Sequence, residues 1–116
     1  MAGLRRTREA AARECVGILD ARLFRALCEP VRLSIVRRRV ARGRSDLGTL
    51  AAELPQDASV ISRHLATLHG AGVVTRVKEG RHVYYEIDGP SVIRRFEEML
   101  AELRQVVPLC CPATKR

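Results

Sequence analysis

The most constraining part of the chain is residues 56–72, Gln-Asp-Ala-Ser-Val-Ile-Ser-Arg-His-Leu-Ala-Thr-Leu-His-Gly-Ala-Gly, which has the pattern of a capped amphipathic helix closed by glycines. Asp57 is placed to cap it, because a carboxylate there accepts from the free N–H groups of a first turn. Ile61, Leu65 and Leu68 recur at helical spacing and form one apolar stripe. Ser59, Val60, Ser62, Arg63 and Thr67 fall mostly on other faces, where short donors and an arginine suit a DNA major groove. Ordinary surface helices share this pattern, so the neighbouring segments decide its meaning.

Downstream, residues 73–78 and 82–87 are β-branched and aromatic runs separated by Glu79-Gly80-Arg81, a hairpin signal. Upstream, residues 47–54 predict a short helix ended by Pro55. Helix, turn, helix and then a hairpin with basic residues at its tip is the order of a winged helix-turn-helix.

Three motifs in that order resemble the ArsR/SmtB family of metal- and metalloid-responsive repressors, over roughly residues 23–87. Residues 24–36, with Leu27-Cys28-Glu29-Pro30-Val31-Arg32-Leu33-Ser34-Ile35 at their centre, are similar to the family's L-x-[DE]-P-x-R-L-x-I opening. Ser62-Arg63-His64-Leu65-Ala66-Thr67-Leu68, followed by Ala71-Gly72-Val73-Val74, resembles its recognition segment. Glu79-Gly80-Arg81-His82-Val83-Tyr84-Tyr85 is similar to its wing signature, E-G-R-x-x-x-Y. The chain departs from the pattern at Gln56, more often apolar in the family, and at Val60, more often threonine. The resemblance implies a homodimer built from the first and last helices.

A chain of 116 residues forms one modest domain, near the size where a second subunit helps. No apolar run approaches the roughly 20 residues of a membrane span, and the start carries no apolar signal core, so a cytoplasmic location is expected. The formal charge of +8 points to a polyanionic partner, nucleic acid first. Residues 1–44 hold 12 arginines against 4 acids, while residues 45–116 are balanced. The N-terminal arm and Arg37, Arg38, Arg39, Arg42 and Arg44 are therefore the expected contacts to flanking phosphates, with salt-dependent binding as the result.

The fold expected is mostly α, an α+β winged helix-turn-helix with a two-stranded wing and a C-terminal dimerisation helix. Residues 1–22 form an arm and dimer helix, 23–88 the DNA-binding core, 91–107 a second dimer helix and 108–116 a thiol-bearing tail. Within this plan a helix is expected from about Arg5 to Asp20, continuing or restarting at Ala21. The next follows Pro30, with Val31, Ile35, Val36 and Val40 as its core stripe and its arginines outward. Residues 41–46 are expected as loop. After Asp88-Gly89-Pro90-Ser91, which supply a turn and an N-cap, Val92, Phe96, Met99, Leu100, Leu103 and Val106 line one side of the last helix until Pro108 stops it.

Cys110 and Cys111 are adjacent and flanked by Pro108 and Pro112, which keeps two sulfurs together. Reduced cytosolic thiols so placed suit a soft ion. Cys15, on the helix that the resemblance sets beside the last one, is the expected third ligand. The inducer expected is trivalent arsenic or antimony, with Hg(II) or thiol redox chemistry as alternatives and no organic cofactor. Cys28 is expected to be a small buried hydrophobe. The family's C-x-C arsenic site is missing, since Ser45-Asp46-Leu47-Gly48-Thr49 stands there, and residues 91–107 lack the histidine of its zinc site. Reactive-sulfur members carry a cysteine near the position of Arg37, which this chain lacks. No set of residues offers a nucleophile, base and orienting acid on one face, which argues against an enzyme. The DNA-contacting candidates are Gln56, Ser59, Val60, Ser62, Arg63, His64 and Thr67, with Lys78, Arg81 and His82 on the wing. His64 is assigned to helix packing or a phosphate contact, and His69 to the helix end. The partner is double-stranded operator DNA, held by a homodimer.

Overall fold

The computed structural model describes residues 7–111. Its elements are α1 (Arg8–Ile18), α2 (Ala21–Leu27), α3 (Pro30–Arg42), β1 (Ser45–Asp46), α4 (Leu47–Glu53), α5 (Ala58–Gly70), β2 (Val74–Glu79), β3 (His82–Ile87) and α6 (Gly89–Cys110). This is the winged helix-turn-helix order, and it divides into two units, residues 21–92 and residues 7–20 with 93–111.

The larger unit is organised around α5, whose Ile61, Leu65 and Leu68 are fully buried. Leu23 and Ala26 of α2, Ile35 of α3, Leu50 of α4, and Val73, Val74 and Tyr85 complete its core. Helix starts follow local chemistry. The Glu29 carboxylate accepts from the Arg32 amide at 2.9 Å ahead of Pro30, and Asp46 accepts from the Thr49 amide at 2.8 Å. Asp57 occupies the cap position of α5, yet its carboxylate makes no capping bond, which leaves the N–H groups of that exposed turn to water. At the other end Gly72, with φ 78°, lets the Val73 amide reach back to the Leu68 carbonyl at 2.9 Å and turns the chain into β2.

The sheet is antiparallel in the order β1-β3-β2. Its wing hairpin pairs Val74 with Ile87 through Glu79 with His82, leaving Gly80-Arg81 as the turn, where Gly80 has φ 62°. β1 corrects the loop expected over 41–46: Ser45 and Asp46 pair with Tyr85 and Tyr84 on the open edge of β3. The stripe of α3 is corrected too. Val40 is 69% exposed, whereas Arg39 is 2% exposed. Arg39 lies four residues from Ile35 and shares its face, while a fifth residue is turned well away.

In the smaller unit, Thr7 accepts from the Ala10 amide at 3.0 Å and caps α1 at Arg8, the expected start at Arg5 lying outside the described residues; the chain restarts as α2 at Ala21. α1 buries Ala11 and Cys15, and α6 buries Met99. α6 starts three residues before Val92, at Gly89, because Asp88 accepts from the Ser91 amide at 3.3 Å. It also continues through Pro108 to Cys110, correcting the stop expected there. A proline in an exposed last turn forfeits one backbone bond, and the Cys111 amide still reaches the Val107 carbonyl at 2.7 Å. Cys110 is thus the end of a helix rather than part of a tail, and Pro112 lies outside the described residues. Val16, Ile18 and Leu19, and Ile93, Phe96, Leu100, Leu103 and Val107 on α6, remain exposed. Among the described residues no helix is long and apolar enough to cross a membrane.

Candidate nucleic-acid interface and thiol sites

With its apolar stripe inward, α5 turns Ser59, Arg63, Ala66, Thr67 and Gly70 to solvent, with Ser62 and Val60 half-buried at the margins. The Thr67 hydroxyl donates to the Arg63 carbonyl at 3.2 Å, which stiffens that face. Gln56 precedes the helix half-buried, its amide oxygen enclosed without a protein hydrogen bond. His64 points inward. Its Nδ1 lies 3.2 Å from Arg32 Nη1, and since arginine only donates, this nitrogen accepts. Of the two roles expected for His64, the geometry is that of packing. Arg32 also donates to the Ala26 carbonyl at 2.7 Å and to the Arg25 carbonyl at 3.1 Å, which the Cys28 amide reaches as well, at 3.3 Å.

The arginines after Leu33 are engaged internally more than their density in the sequence suggests. Arg39 donates through Nη1 to the Gly43 carbonyl at 2.8 Å and to the Ser45 hydroxyl, and its Nη2 stands 3.6 Å from Glu53. Burial pushes its pKa down, opposed by the Glu53 charge. Glu53 also faces Arg38 at 3.7 Å and Arg42 at 2.6 Å. Arg44 grips Glu79 of the wing with both terminal nitrogens, at 3.1 and 2.5 Å, and lies 4.2 Å over the Tyr84 ring. That hydrogen bonding raises the Arg44 pKa and holds the Glu79 carboxyl below its usual range. The expectation that this whole run faces phosphate is therefore corrected; Arg37 stays exposed, and the arm before residue 7 lies outside the described residues.

On the wing, Lys78, Arg81 and His82 are exposed. His82 Nδ1 lies 3.2 Å from Asp46, tying the wing tip to the start of α4. The Asp46 carboxyl is held low by its hydrogen bonds to Thr49 first, with His82 adding to them. Two clefts flank the outer face of α5. One is lined by Arg22, Arg25, Ala26, Ala66, Thr67 and Gly70, the other by Ser62, Ala66, His69, Arg76 and Tyr85. His69 sits at the helix end as expected. Arg22, Arg25 and Arg76 escaped the sequence reading, although the three-residue spacing of the first two around buried Leu23 was a usable signal.

Cys110 and Cys111 are exposed with their sulfurs 3.4 Å apart. The hydrogen bond to Cys110 pushes the Cys111 thiol up, followed by the Cys110 charge and burial, against Arg8, which draws it down. α1 and α6 run antiparallel: Arg95 bonds Asp20 at 2.5 and 3.1 Å near one end, and Arg8 acts on Cys111 at the other. Cys15 is seven residues on from Arg8, roughly 10 Å along the helix. Cys15 is buried, and among the described residues no three or more His, Cys, Asp or Glu side chains form a metal-holding group. The adjacent pair is brought together within one chain, and Cys15 is not brought to it. Cys28, expected to be buried, is exposed beyond the end of α2.

No protein-family profile matches the chain. Individual relatives do. The HTH-type transcriptional regulator CmtR of Mycobacterium tuberculosis is 40% identical over 87 residues, 75% of this chain and 70% of the relative. A possible transcriptional regulator for arsenical resistance has a similar structure, with a TM-score of 0.61 and 31% identity over 84% of this chain and 99% of that one. An ArsR-like transcriptional regulator from Rhodococcus sp. RHA1 gives 0.64 and 28%, over 83% and 93%. The chain belongs to the ArsR/SmtB family.

As an ArsR/SmtB member it is a DNA-binding transcriptional regulator and not an enzyme. Membership also gives the family motifs a physical reading. In the E-P-x-R opening, Glu29 caps α3, Pro30 fixes its first turn, and Arg32 fastens the end of α2 to the histidine of the recognition segment. In the wing motif, the glutamate is the partner of Arg44 and the glycine supplies the positive φ of the turn.

Proposed function

We propose that the chain is a homodimeric repressor that leaves its operator when a thiophilic metalloid or metal, trivalent arsenic or antimony first, binds its cysteine thiolates. The observation that carries this reading is the pair of exposed sulfurs of Cys110 and Cys111, 3.4 Å apart at the end of α6. Metal–thiolate bonds of about 2.3 Å span sulfurs up to roughly 4.6 Å apart, so one ion can hold both in a bent arrangement. That shape favours a pyramidal trivalent metalloid over a linear mercury bis-thiolate. Cys15 completes a three-thiolate site by a shift of α1 or from a second copy. In a dimer joined through α1 and α6, such a ligand acts by coupling, worth about 1–3 kcal/mol and a 5–150-fold loss of operator affinity.

On the DNA side, Ser59, Ser62, Arg63 and Thr67 read the groove, with Gln56 and Val60 at its edge. Lys78, Arg81 and His82 meet the flanks, and His64 supports the helix from behind. The test is release of the wild-type chain from a duplex selected in vitro. Cys110→Ser/Cys111→Ser should bind that duplex normally and no longer release it on adding arsenite under reducing conditions; unchanged release by the double variant would remove the sensing site. Because the Cys111 thiol is raised and only thiolates bind, the response should weaken as pH falls. The same 3.4 Å contact supports a second reading, loss of two electrons and two protons to an oxidant with formation of a Cys110–Cys111 disulfide. Release by peroxide without metalloid, reversed by dithiothreitol, would select it.

A further inference from the structure

We infer that Arg22 and Arg25 of α2 form a seat for a backbone phosphate of bound duplex DNA, at one flank of the α5 reading face. This rests on the DNA-binding reading and adds to it a contact outside both the helix-turn-helix and the wing. The two arginines are three residues apart and exposed on α2, beside buried Ala26, which lines the same cleft. Their cleft, about 260 Å³, opens against Ala66, Thr67 and Gly70. Its floor is low because these α5 residues are small. A Cβ at Gly70 would stand 3.2 Å from Arg22 Nη2, so glycine gives that guanidinium its room. A water takes roughly 30 Å³ in the liquid, so the cleft holds solvent that an anion can replace without moving protein atoms.

Pairing distinguishes these two residues from most of the arginines after Leu33. Arg38, Arg39 and Arg42 share Glu53, and Arg44 has Glu79, whereas no carboxylate among the described residues pairs with Arg22 or Arg25. Ala66 and Gly70 lie three and seven residues after Arg63, on the same exposed helix face, so the cleft borders the reading surface itself. Uncompensated guanidiniums at the edge of a groove-reading helix meet the phosphates that line that groove, and they meet them whatever the base sequence.

The test measures binding of the full-length chain to a duplex selected in vitro by the wild type, by fluorescence anisotropy across a salt series. In the proposed homodimer Arg22→Gln/Arg25→Gln empties two phosphate seats and should lower the slope of log affinity against log salt by about 1.8. The affinity lost between about 50 and about 200 mM salt should then shrink roughly twelvefold. Sequence ranking and thermal midpoint should stay as in the wild type, and Arg22→Lys/Arg25→Lys should restore the slope. An Arg22→Gln/Arg25→Gln chain with the wild-type slope overturns the inference, as does weaker binding at unchanged slope, which would mark a structural role at the end of α5. A wild type that selects and binds no duplex removes the DNA reading as well; a binding wild type with an indifferent double variant removes only the seat.

Discussion

Arg32 is the residue on which the DNA-binding unit most depends for its internal alignment, because one guanidinium serves two carbonyls of α2 and the imidazole behind the reading face. Removing it leaves three acceptors without their charged donor. Hydrogen bonds to charged groups are worth about 1.5–3 kcal/mol each, and partial exposure lets water recover some of that. Arg32→Ala should therefore cost about 2 kcal/mol in urea unfolding, and Arg32→Lys should recover only part, since a single ammonium cannot reproduce the fork. A loss below about 0.5 kcal/mol would show that water replaces the clip fully. Arg39 illustrates the opposite situation, a cation enclosed at the junction of α3 and β1. Its sequence neighbours Arg38 and Val40 give no hint of that burial, because adjacent residues stand about 100° apart around a helix and the inward one depends on the phase of the whole element.

At the scale of elements, the wing is held to the rest of its unit at its tip, by the ion pair of Arg44 with Glu79 and the contact of His82 with Asp46. Both carboxyls are held below the usual range, so their contribution is present above the ordinary carboxylate pKa and is lost as pH falls through the depressed values. The wing amides of β2 and β3 should accordingly exchange faster as pH drops below about 4, once the intrinsic pH dependence of exchange is removed, and an Asp46→Asn/Glu79→Gln chain should lose that dependence. Elements with a long periodic pattern were legible in the sequence: the stripe of α5, the two runs of the hairpin and the apolar side of α6. β1 was not, since two residues carry no period and Ser45-Asp46 becomes a strand only because β3 offers an edge. The run of α6 past Pro108 was hidden for a related reason, as a proline near a helix end costs too little to stop it. In the candidate site, the outer face of α5 follows from its buried face and the thiol pair from simple adjacency. The flanking arginines were missed because whether an arginine is paired depends on acids distant in the chain, such as Glu79 for Arg44.

For the molecule as a whole, the exposed Phe96, Leu100 and Leu103 on α6, with Val16, Ile18 and Leu19 at the end of α1, form the apolar surface that the proposed dimer covers. Leu103→Glu would bury an unpaired charge in that contact, at a cost of several kcal/mol. Sedimentation at micromolar concentration should find the wild type dimeric and Leu103→Glu monomeric; a monomeric wild type would sink the dimer. Arg44, lying on Tyr84 with both nitrogens on Glu79, has a consequence for the chain's life among random sequences. Bare positive charge holds a protein to any duplex, and a genome offers something like 10⁶–10⁹ wrong places to stop. An arginine that carries its own counterion adds little to that indiscriminate grip. The Glu79 partner thus trims what Arg44 would otherwise add to binding away from the true sites.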